Sequence, residues 1–240
     1  MTAIATRWLP LGDLLVFSPL GLSFVDDFTG QAQIGSVKTT LTIETPPGSG
    51  AYVATGVLGL FTNSGILAYP NLGRRGRVPT PAETPRKYRA SIVAQYYTPL
   101  YPAGLNAPGF DFTVTAYDDN TDFTIVKPTT ATLPLLPKAN YPFDGTTPLL
   151  RGNVVTAAGA PIVALVTAVE PFDDTGDTNQ TRVATDQGGF FRLPLRWGNA
   201  KSPKPTTVTA IDPVSGKSGT TSMPFPYNLS NPLTITIPIP

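Results

Sequence analysis

The sequence predicts an all-β protein: two tandem antiparallel β-sandwich domains, Ig-like or prealbumin-like, with an extended N-terminal arm. Glycine (22 residues) and proline (27 residues) are spread among β-branched runs, the pattern of many short strands joined by turns. No segment combines a helical period of apolar residues with helix caps, because prolines interrupt the long stretches. In addition, one series of motifs occurs twice, which indicates two copies of one unit.

The chain opens with an apolar segment, which we expect to form an arm over residues 1–22. Two prolines disfavour a helix and favour an extended conformation. The apolar run is interrupted and lacks a small-residue cleavage site, so we expect synthesis in the cytoplasm without a signal peptide. No run reaches the ~18 uninterrupted apolar residues of a membrane span. We expect Trp8, Leu14 and Phe17 to contact a partner subunit, the alternative being packing on the first domain.

The motif series that occurs twice predicts domains at residues 23–136 and 148–240. "FVDDFTGQAQIGSVKTTLTIE" and "LRGNVVTAAGAPIVALVTAVE" each read as a strand, a glycine turn and a second strand. "AYVATGVLGLF" and "TRVATDQGGFF" then share V-A-T, glycine and phenylalanine, and "FDFTVTAYDD" and "TTVTAIDP" share a V-T-A strand before an aspartate turn. Each copy closes on a strand that ends at proline. The proline-rich segment 137–147 is the predicted linker.

The second copy resembles the carboxypeptidase regulatory-like domain, a prealbumin-like β-sandwich, over residues 148–240. The matching positions are Gly152, Val154, Gly159, Pro161, Thr185, Asp186, Gly188, Gly189 and Phe190. The sequence departs from the family at Thr156-Ala157-Ala158, where an aspartate is usual in the turn. The resemblance is weaker in the first copy. It implies a spacer, a carbohydrate-adjacent module or an assembly part, and it implies no catalytic activity.

The composition excludes several classes of function. The chain has no cysteine and no histidine, which removes thiol nucleophiles, Ser-His-Asp triads, and cysteine- or histidine-ligated metal sites. The net charge of +1 does not suggest a nucleic-acid-binding protein. We therefore expect a protein that is not an enzyme, needs no cofactor and binds no nucleic acid.

A basic, proline-rich insertion spans residues 69–91 and has no counterpart in the second copy. Its basic residues are Arg74, Arg75, Arg77, Arg86, Lys87 and Arg89. Insertions of this length are usually functional or disordered. We expect it to contact an acidic partner, a phosphate or an acidic glycan. The alternative is a solvated loop without a binding role.

Three tyrosines, Tyr96, Tyr97 and Tyr101, lie among prolines and glycines in the segment 94–110. Tyrosines clustered in a loop are typical of protein interfaces and of sugar stacking. We expect an interface rather than a sugar site, since no tryptophan or amide cluster accompanies them. The alternative is that some of these rings line the sandwich core.

Two acidic stretches, 117–122 and 170–180, carry carboxylates and amides that are suited to Ca²⁺. Neither has the spacing of an EF-hand. Solvated turns are the preferred interpretation, and Ca²⁺ binding stays open.

These observations together favour a non-catalytic structural protein of a larger assembly, of the phage tail, contractile injection apparatus or surface fibre type. Its partners would be other protein subunits, in a homo-oligomer or a hetero-assembly. Its location would be a virion or another extracellular particle. A carbohydrate- or polymer-binding module is one alternative, with a glycan as the partner. An accessory domain of a separately encoded enzyme is the other.

Overall fold

A computed structural model describes residues 17–75, 84–117, 128–171, 178–196, 205–224 and 229–239. The regular elements in these ranges are all strands, which confirms the all-β class, and no helix in them could cross a membrane. The strands are β1 (Leu20–Asp26), β2 (Val37–Glu44), β3 (Tyr52–Ala54), β4 (Leu60–Phe61), β5 (Leu67–Ala68), β6 (Arg86–Ala94), β7 (Tyr97–Pro99), β8 (Phe110–Val114), β9 (Thr129–Pro137), β10 (Leu149–Thr156), β11 (Leu165–Pro171), β12 (Thr178–Ala184), β13 (Phe190–Pro194), β14 (Thr206–Ile211), β15 (Ser218–Met223) and β16 (Leu233–Ile237).

The chain divides into two compact units. Unit 1 comprises Met1–Phe24, Val37–Ile92 and Pro108–Leu133, and unit 2 comprises Val25–Ser36, Val93–Ala107 and Pro134–Pro240. The segment 137–147, predicted as a linker, is part of unit 2, where Tyr141 is buried. The domain boundaries drawn from the sequence stay a prediction.

Unit 2 contains a sandwich of two sheets. One sheet has the order β13-β10-β16, and the other has the order β12-β11-β14-β15. Alternate residues of these strands face inward, as period-two strands require, and form one buried aliphatic core around Phe191. Strand β10 pairs antiparallel with β13 and parallel with β16. The backbones of β10 and β16 approach so closely at Gly152 that a Cβ there would lie 2.2 Å from the Leu233 carbonyl oxygen.

Unit 1 also packs sheet against sheet, with a core rich in aromatic rings. Its four-stranded sheet has the order β3-β2-β6-β8, and β4, β5 and β1 belong to a sheet with the order β4-β5-β1-β9-β7. Leu20, Leu22 and Phe24 alternate inward along β1. Across the core the rings of Tyr69 and Phe112 stack with their centroids 6.5 Å apart.

The two copies of the motif series form matching strand orders. In the first copy, one sheet contains the strand order β5-β1-β9 and the other has the order β3-β2-β6-β8. In the second copy, the equivalent sheets have the orders β13-β10-β16 and β12-β11-β14-β15. Backbone hydrogen bonds from Thr129 N to Pro19 O and from Asp27 N to Leu135 O show that β1 and β9 run parallel, as β10 and β16 do. One sequence match is corrected: β14 corresponds by sheet position to β6, so the V-T-A strand β8 corresponds to β15.

The turn after β12 requires a glycine at position 189, which is the glycine that follows the second V-A-T phrase. Gly189 has a φ of +72°, and a Cβ there would lie 2.4 Å from the Val154 carbonyl oxygen. Asp186 Oδ1 accepts hydrogen bonds from the backbone N–H groups of Gly188 and Phe190, each at 2.9 Å. The turn therefore returns the chain into β13 with Phe191 in the core.

Candidate interaction surfaces

The C-terminal part of the predicted basic insertion forms strand β6. Arg86 and Lys87 are exposed, and Arg89 is half-buried. Asp111 on β8 lies directly opposite Arg89. Arg89 Nε and Nη2 donate to the two Asp111 carboxylate oxygens at 2.6 and 2.9 Å, and Lys87 Nζ lies 3.2 Å from Asp111 Oδ2. Two of the predicted contact residues are therefore paired with an acid of their own sheet.

This charged face also carries an aromatic ring. The Arg89 guanidinium carbon lies 3.8 Å from the centroid of the Tyr52 ring on β3, a cation–π contact. The hydrogen bonds from Arg89 hold the pKa of Asp111 below its usual value. An acidic partner would have to compete with Asp111 for Arg89, which weakens the expectation of an open basic surface at β6.

The N-terminal part of the insertion holds Arg74 and Arg75, and both side chains are exposed. Their backbone is fixed against Tyr117, because Arg75 N donates to Tyr117 O at 2.7 Å and Tyr117 N donates to Gly73 O at 3.1 Å. Arg77 lies outside the described residues. The role of these arginines in partner contact stays a prediction.

The three predicted tyrosines have different environments within unit 2. Tyr97 and Tyr101 are buried, so the alternative of core tyrosines describes these two. Their burial corrects the expectation that both rings are presented on the surface. Tyr96 is half-buried, and its hydroxyl accepts a hydrogen bond from Gln95 Nε2 at 2.9 Å.

A buried carboxylate, which the sequence did not single out, organises this tyrosine cluster. Asp26 Oδ2 accepts hydrogen bonds from the hydroxyls of Tyr97 at 3.1 Å and Tyr141 at 2.6 Å. Asp26 Oδ1 accepts from the backbone N–H groups of Phe28 at 2.9 Å and Thr29 at 3.3 Å. Burial raises the pKa of Tyr141 and of Tyr97, so both hydroxyls stay protonated and can donate. With four donors supplied, Asp26 has the hydrogen bonding of a structural carboxylate.

The predicted arm is described only at its end. Trp8 and Leu14 lie outside the described residues. Phe17 is half-buried and makes an edge-to-face contact with Tyr117, with ring centroids 5.0 Å apart. Residues 20–22, which the sequence assigned to the arm, begin strand β1, where Leu20 and Leu22 are fully buried.

Unit 1 carries an apolar edge that the sequence did not predict. We use this name for five exposed side chains at and beside the terminal strand β4: Val57, Leu58, Leu60, Phe61 and Ile66. Leu58 is 78% exposed, Leu60 58% and Phe61 42%. Among the residues that the structure describes, β4 pairs with β5 alone, and its other side is open. Grouped exposed apolar side chains of this kind usually mark an interaction site.

The acidic stretches supply no metal site among the residues that the structure describes. In these ranges no group of three or more aspartate, glutamate, histidine or cysteine residues could hold a metal ion. Asp118, Asp119, Asp173, Asp174 and Asp177 lie outside the described ranges, so the expectation of solvated turns there stays a prediction.

Comparison with known proteins gives no family for this chain: no family model and no curated protein matches it. Among solved structures, it is similar to the Bacillus anthracis TIE protein, at 11% identity and a TM-score of 0.26 over 93% of this chain and 33% of that chain. It is also similar to a streptococcal ancillary pilin, at 13% identity and a TM-score of 0.29 over 91% of this chain and 61% of that chain. A third is a C-terminal fragment of the pilus adhesin SpaC from Lactobacillus rhamnosus GG, at 12% identity and a TM-score of 0.22 over 91% and 95% of the two chains.

The chain thus spans about a third of the first of these structures and about three fifths of the second. At such low TM-scores the similarities carry no argument about function.

Proposed function

We propose that this chain is a non-catalytic structural module that works through protein–protein contacts in a larger assembly. The observation that carries the proposal is the apolar edge of unit 1, where Leu58, Leu60 and Phe61 are exposed at and beside the terminal strand of a sheet. A terminal strand also presents backbone donors and acceptors that a further strand can pair with.

Both properties favour the addition of a strand from another molecule. Burying one large apolar side chain contributes about 1.5–3 kcal/mol, so three such side chains can outweigh the ordering of a short segment. Natural proteins usually protect open strand edges with charged residues or proline. At β4 the side chains are Leu60 and Phe61, which fits an edge that is covered in the assembly.

The occupant that we propose for this edge is the N-terminal segment 1–16 of a second copy. Its apolar residues include Trp8, Leu11, Leu14, Leu15 and Val16. An extended segment of this length can span roughly 50 Å, enough to reach a neighbouring molecule. In the part of the chain that the structure describes, β1 has β5 and β9 as neighbours, whereas β4 is the end strand of this sheet and can accept a further strand.

The setting we propose is a virion, a contractile injection apparatus or a surface fibre, where subunits repeat the same contact many times. An assignment to the carboxypeptidase regulatory-like family is part of the same proposal. The low charged content of the chain, 14%, supports extended protein–protein contact.

Sedimentation of the wild-type chain and three variants tests the proposal. We expect the wild type to self-associate in a concentration-dependent manner. The double variant Leu58→Lys/Leu60→Lys, which changes the two most exposed side chains of the apolar edge, and a chain lacking residues 2–16 should both be folded monomers. Val214→Lys is the matched control, because Val214 is 81% exposed in unit 2 and its replacement should leave association unchanged.

Two results would contradict the proposal. A wild-type chain that stays monomeric up to high concentration has no self-complementary edge. Variants that associate as strongly as the wild type would show that neither β4 nor the N-terminal segment forms the contact. Equal melting temperatures for wild type and variants exclude a loss of folding as the cause of a monomeric state.

A further inference from the structure

A second feature, unrelated to the apolar edge, is a cleft of about 690 Å³ in unit 2. Its walls are the segment 143–149, the side chains of Arg151 and Arg192, and residues of the segment 229–232. Its size falls within the ~300–1,000 Å³ typical of small-molecule sites.

Two arginines face the cleft from neighbouring strands. Arg151 on β10 and Arg192 on β13 are directly opposite each other in the antiparallel pairing. Like charges directly opposite in a sheet destabilise it. Neither arginine forms an ion pair with an acid among the residues that the structure describes. This pair therefore lacks the compensation that Arg89 receives from Asp111.

Arg192 is the more deeply placed of the two. Its Nη1 donates to the carbonyl oxygens of Ala139 at 3.1 Å and Tyr141 at 3.4 Å, which fixes the orientation of the guanidinium. Its Nε is buried and lacks an acceptor in the described part of the chain. Burial, followed by the charge of Arg151, lowers the pKa of Arg192. Two carbonyl dipoles orient this cation but supply no opposing charge.

A preformed turn supplies another part of the cleft wall. Asp144 Oδ1 accepts hydrogen bonds from Thr146 N at 2.8 Å and Thr146 Oγ1 at 2.6 Å, and Thr147 N donates to Asp144 O at 2.9 Å. The hydrogen bonds from Thr146 hold the pKa of Asp144 below its usual value, so the group is ionised. The cleft is thus lined by two cations and one anion.

We propose that this cleft binds a hydroxylated carboxylate, such as a uronic acid unit of an acidic polysaccharide, with Arg151 and Arg192 on its carboxylate. An excess of one positive charge matches a carboxylate better than a phosphate, which carries about −1.5 to −2 at neutral pH. Guanidinium groups bind planar carboxylates in bidentate geometry. Asp144 Oδ2 is an acceptor suited to a sugar hydroxyl, and Phe143 supplies apolar surface beside it.

A concave site with hydroxyl, carboxylate and aromatic groups favours a compact sugar over a flat protein surface. An acidic peptide is the competing ligand, since its side chains carry the same carboxylate. The two ligands differ in their ring hydroxyls, and this difference gives the test its discriminating arm.

Calorimetric titration with digalacturonate tests the site, with neutral digalactose as the matched ligand. We expect digalacturonate to bind and digalactose to bind at least tenfold more weakly. Arg151→Gln should weaken digalacturonate binding at least tenfold, because an exposed arginine can be replaced without disturbing the core. Arg86→Gln, which removes an exposed arginine on β6, is the control and should bind as the wild type does.

Three results would overturn the proposal. Absence of digalacturonate binding would show that the cleft takes no such ligand. Equal binding by a tetraglutamate peptide would assign the cleft to acidic polypeptides. Tighter binding of inorganic phosphate would show that the site prefers a tetrahedral dianion.

Discussion

Units 1 and 2 share one strand order but build it from different side chains. In unit 1 stacked rings such as Tyr69, Tyr88 and Phe112 fill the space between the sheets. In unit 2 that space is filled by aliphatic residues around one ring, Phe191. The shared element is the alternation of buried and exposed positions along strands joined in the same sequence, which tolerates very different cores.

The repeated V-A-T phrase shows where the two copies diverge. In unit 2 the phrase leads through one turn into β13, and Phe191 is 0% exposed. In unit 1 the corresponding stretch forms a hairpin of β4 and β5, and Phe61 on β4 is 42% exposed. By sheet position β5 is the counterpart of β13, so β4 is an added strand. The apolar edge therefore lies at β4, a strand that the first copy has and the described part of the second copy lacks.

The largest expected effect tests this divergence. Phe191→Ala should lower the free energy of unfolding by about 3–5 kcal/mol, because it empties a fully buried position. Phe61→Ala should cost less, about 1–2 kcal/mol, because that ring is 42% exposed and packs on one side only, with its centroid 5.9 Å from that of Phe24. Urea denaturation measures both. Equal losses would mean that Phe61 packs in a core as Phe191 does.

The second test compares the residues that end β1 and β10. Asp26 ends β1 and accepts four hydrogen bonds, whereas Thr156 ends β10 and its Oγ1 accepts one from Ala160 N at 3.3 Å. Asp26→Ala should cost about 3 kcal/mol, because it leaves buried hydroxyls and N–H groups without an acceptor. Thr156→Ala should cost less than about 1 kcal/mol.

Thermal and urea unfolding of both variants provides the measurement. Tyr141→Phe is an intermediate control that removes only one donor to Asp26 and should cost about 1 kcal/mol. A stable Asp26→Ala variant would show that water replaces the carboxylate, and that the tyrosine cluster is not organised by it.

The third test uses two glutamates at the ends of corresponding strands, Glu44 on β2 and Glu170 on β11. Glu44 accepts hydrogen bonds from Gly48 N and Gly50 N, which lower its pKa. Glu170 is 1% exposed, and burial raises its pKa from 4.5 to about 7. One of its oxygens accepts from Arg196 N at 2.5 Å, and the other has no partner among the described residues.

Because the folded state holds the Glu170 proton more tightly, it binds more protons than the unfolded chain between pH 4.5 and about 7. The stabilisation from this group is complete below pH 4.5 and is lost as the pH rises through 7. Glu170→Gln should therefore stabilise the protein by about 1–3 kcal/mol at pH 8 and change little at pH 4.5.

Urea denaturation across this pH range checks the expectation, with Glu44→Gln as the control that should not raise stability at pH 8. A Glu170→Gln variant with the pH dependence of the wild type would show that Glu170 is ionised in the folded protein at neutral pH.

Strand periodicity and turn residues are local properties, and they were sufficient to predict the all-β class and most strands. The correspondence of β6 with β14 was missed, because the shared V-T-A motif matched β8 with β14 instead. The position of a strand in its sheet depends on long-range pairing, which the motif does not report. The sequence favoured an interface role for Tyr97 and left its burial as the alternative, since the face of a short strand depends on its neighbours. The sequence could not predict the pairing of Arg151 with Arg192 for the same reason, because the β10–β13 register brings these two residues opposite each other.

The parallel pairing of β10 with β16 has a mechanical consequence. These are the first and last strands of the second copy, and they pair from Gly152 with Leu233 to Thr156 with Ile237. A tensile force applied at the two ends of this copy pulls the strands in opposite directions along their axes. The hydrogen bonds of the ladder are then loaded together in shear, whereas a hairpin peels open one bond at a time. Tension along the chain would meet its resistance at this pair of strands.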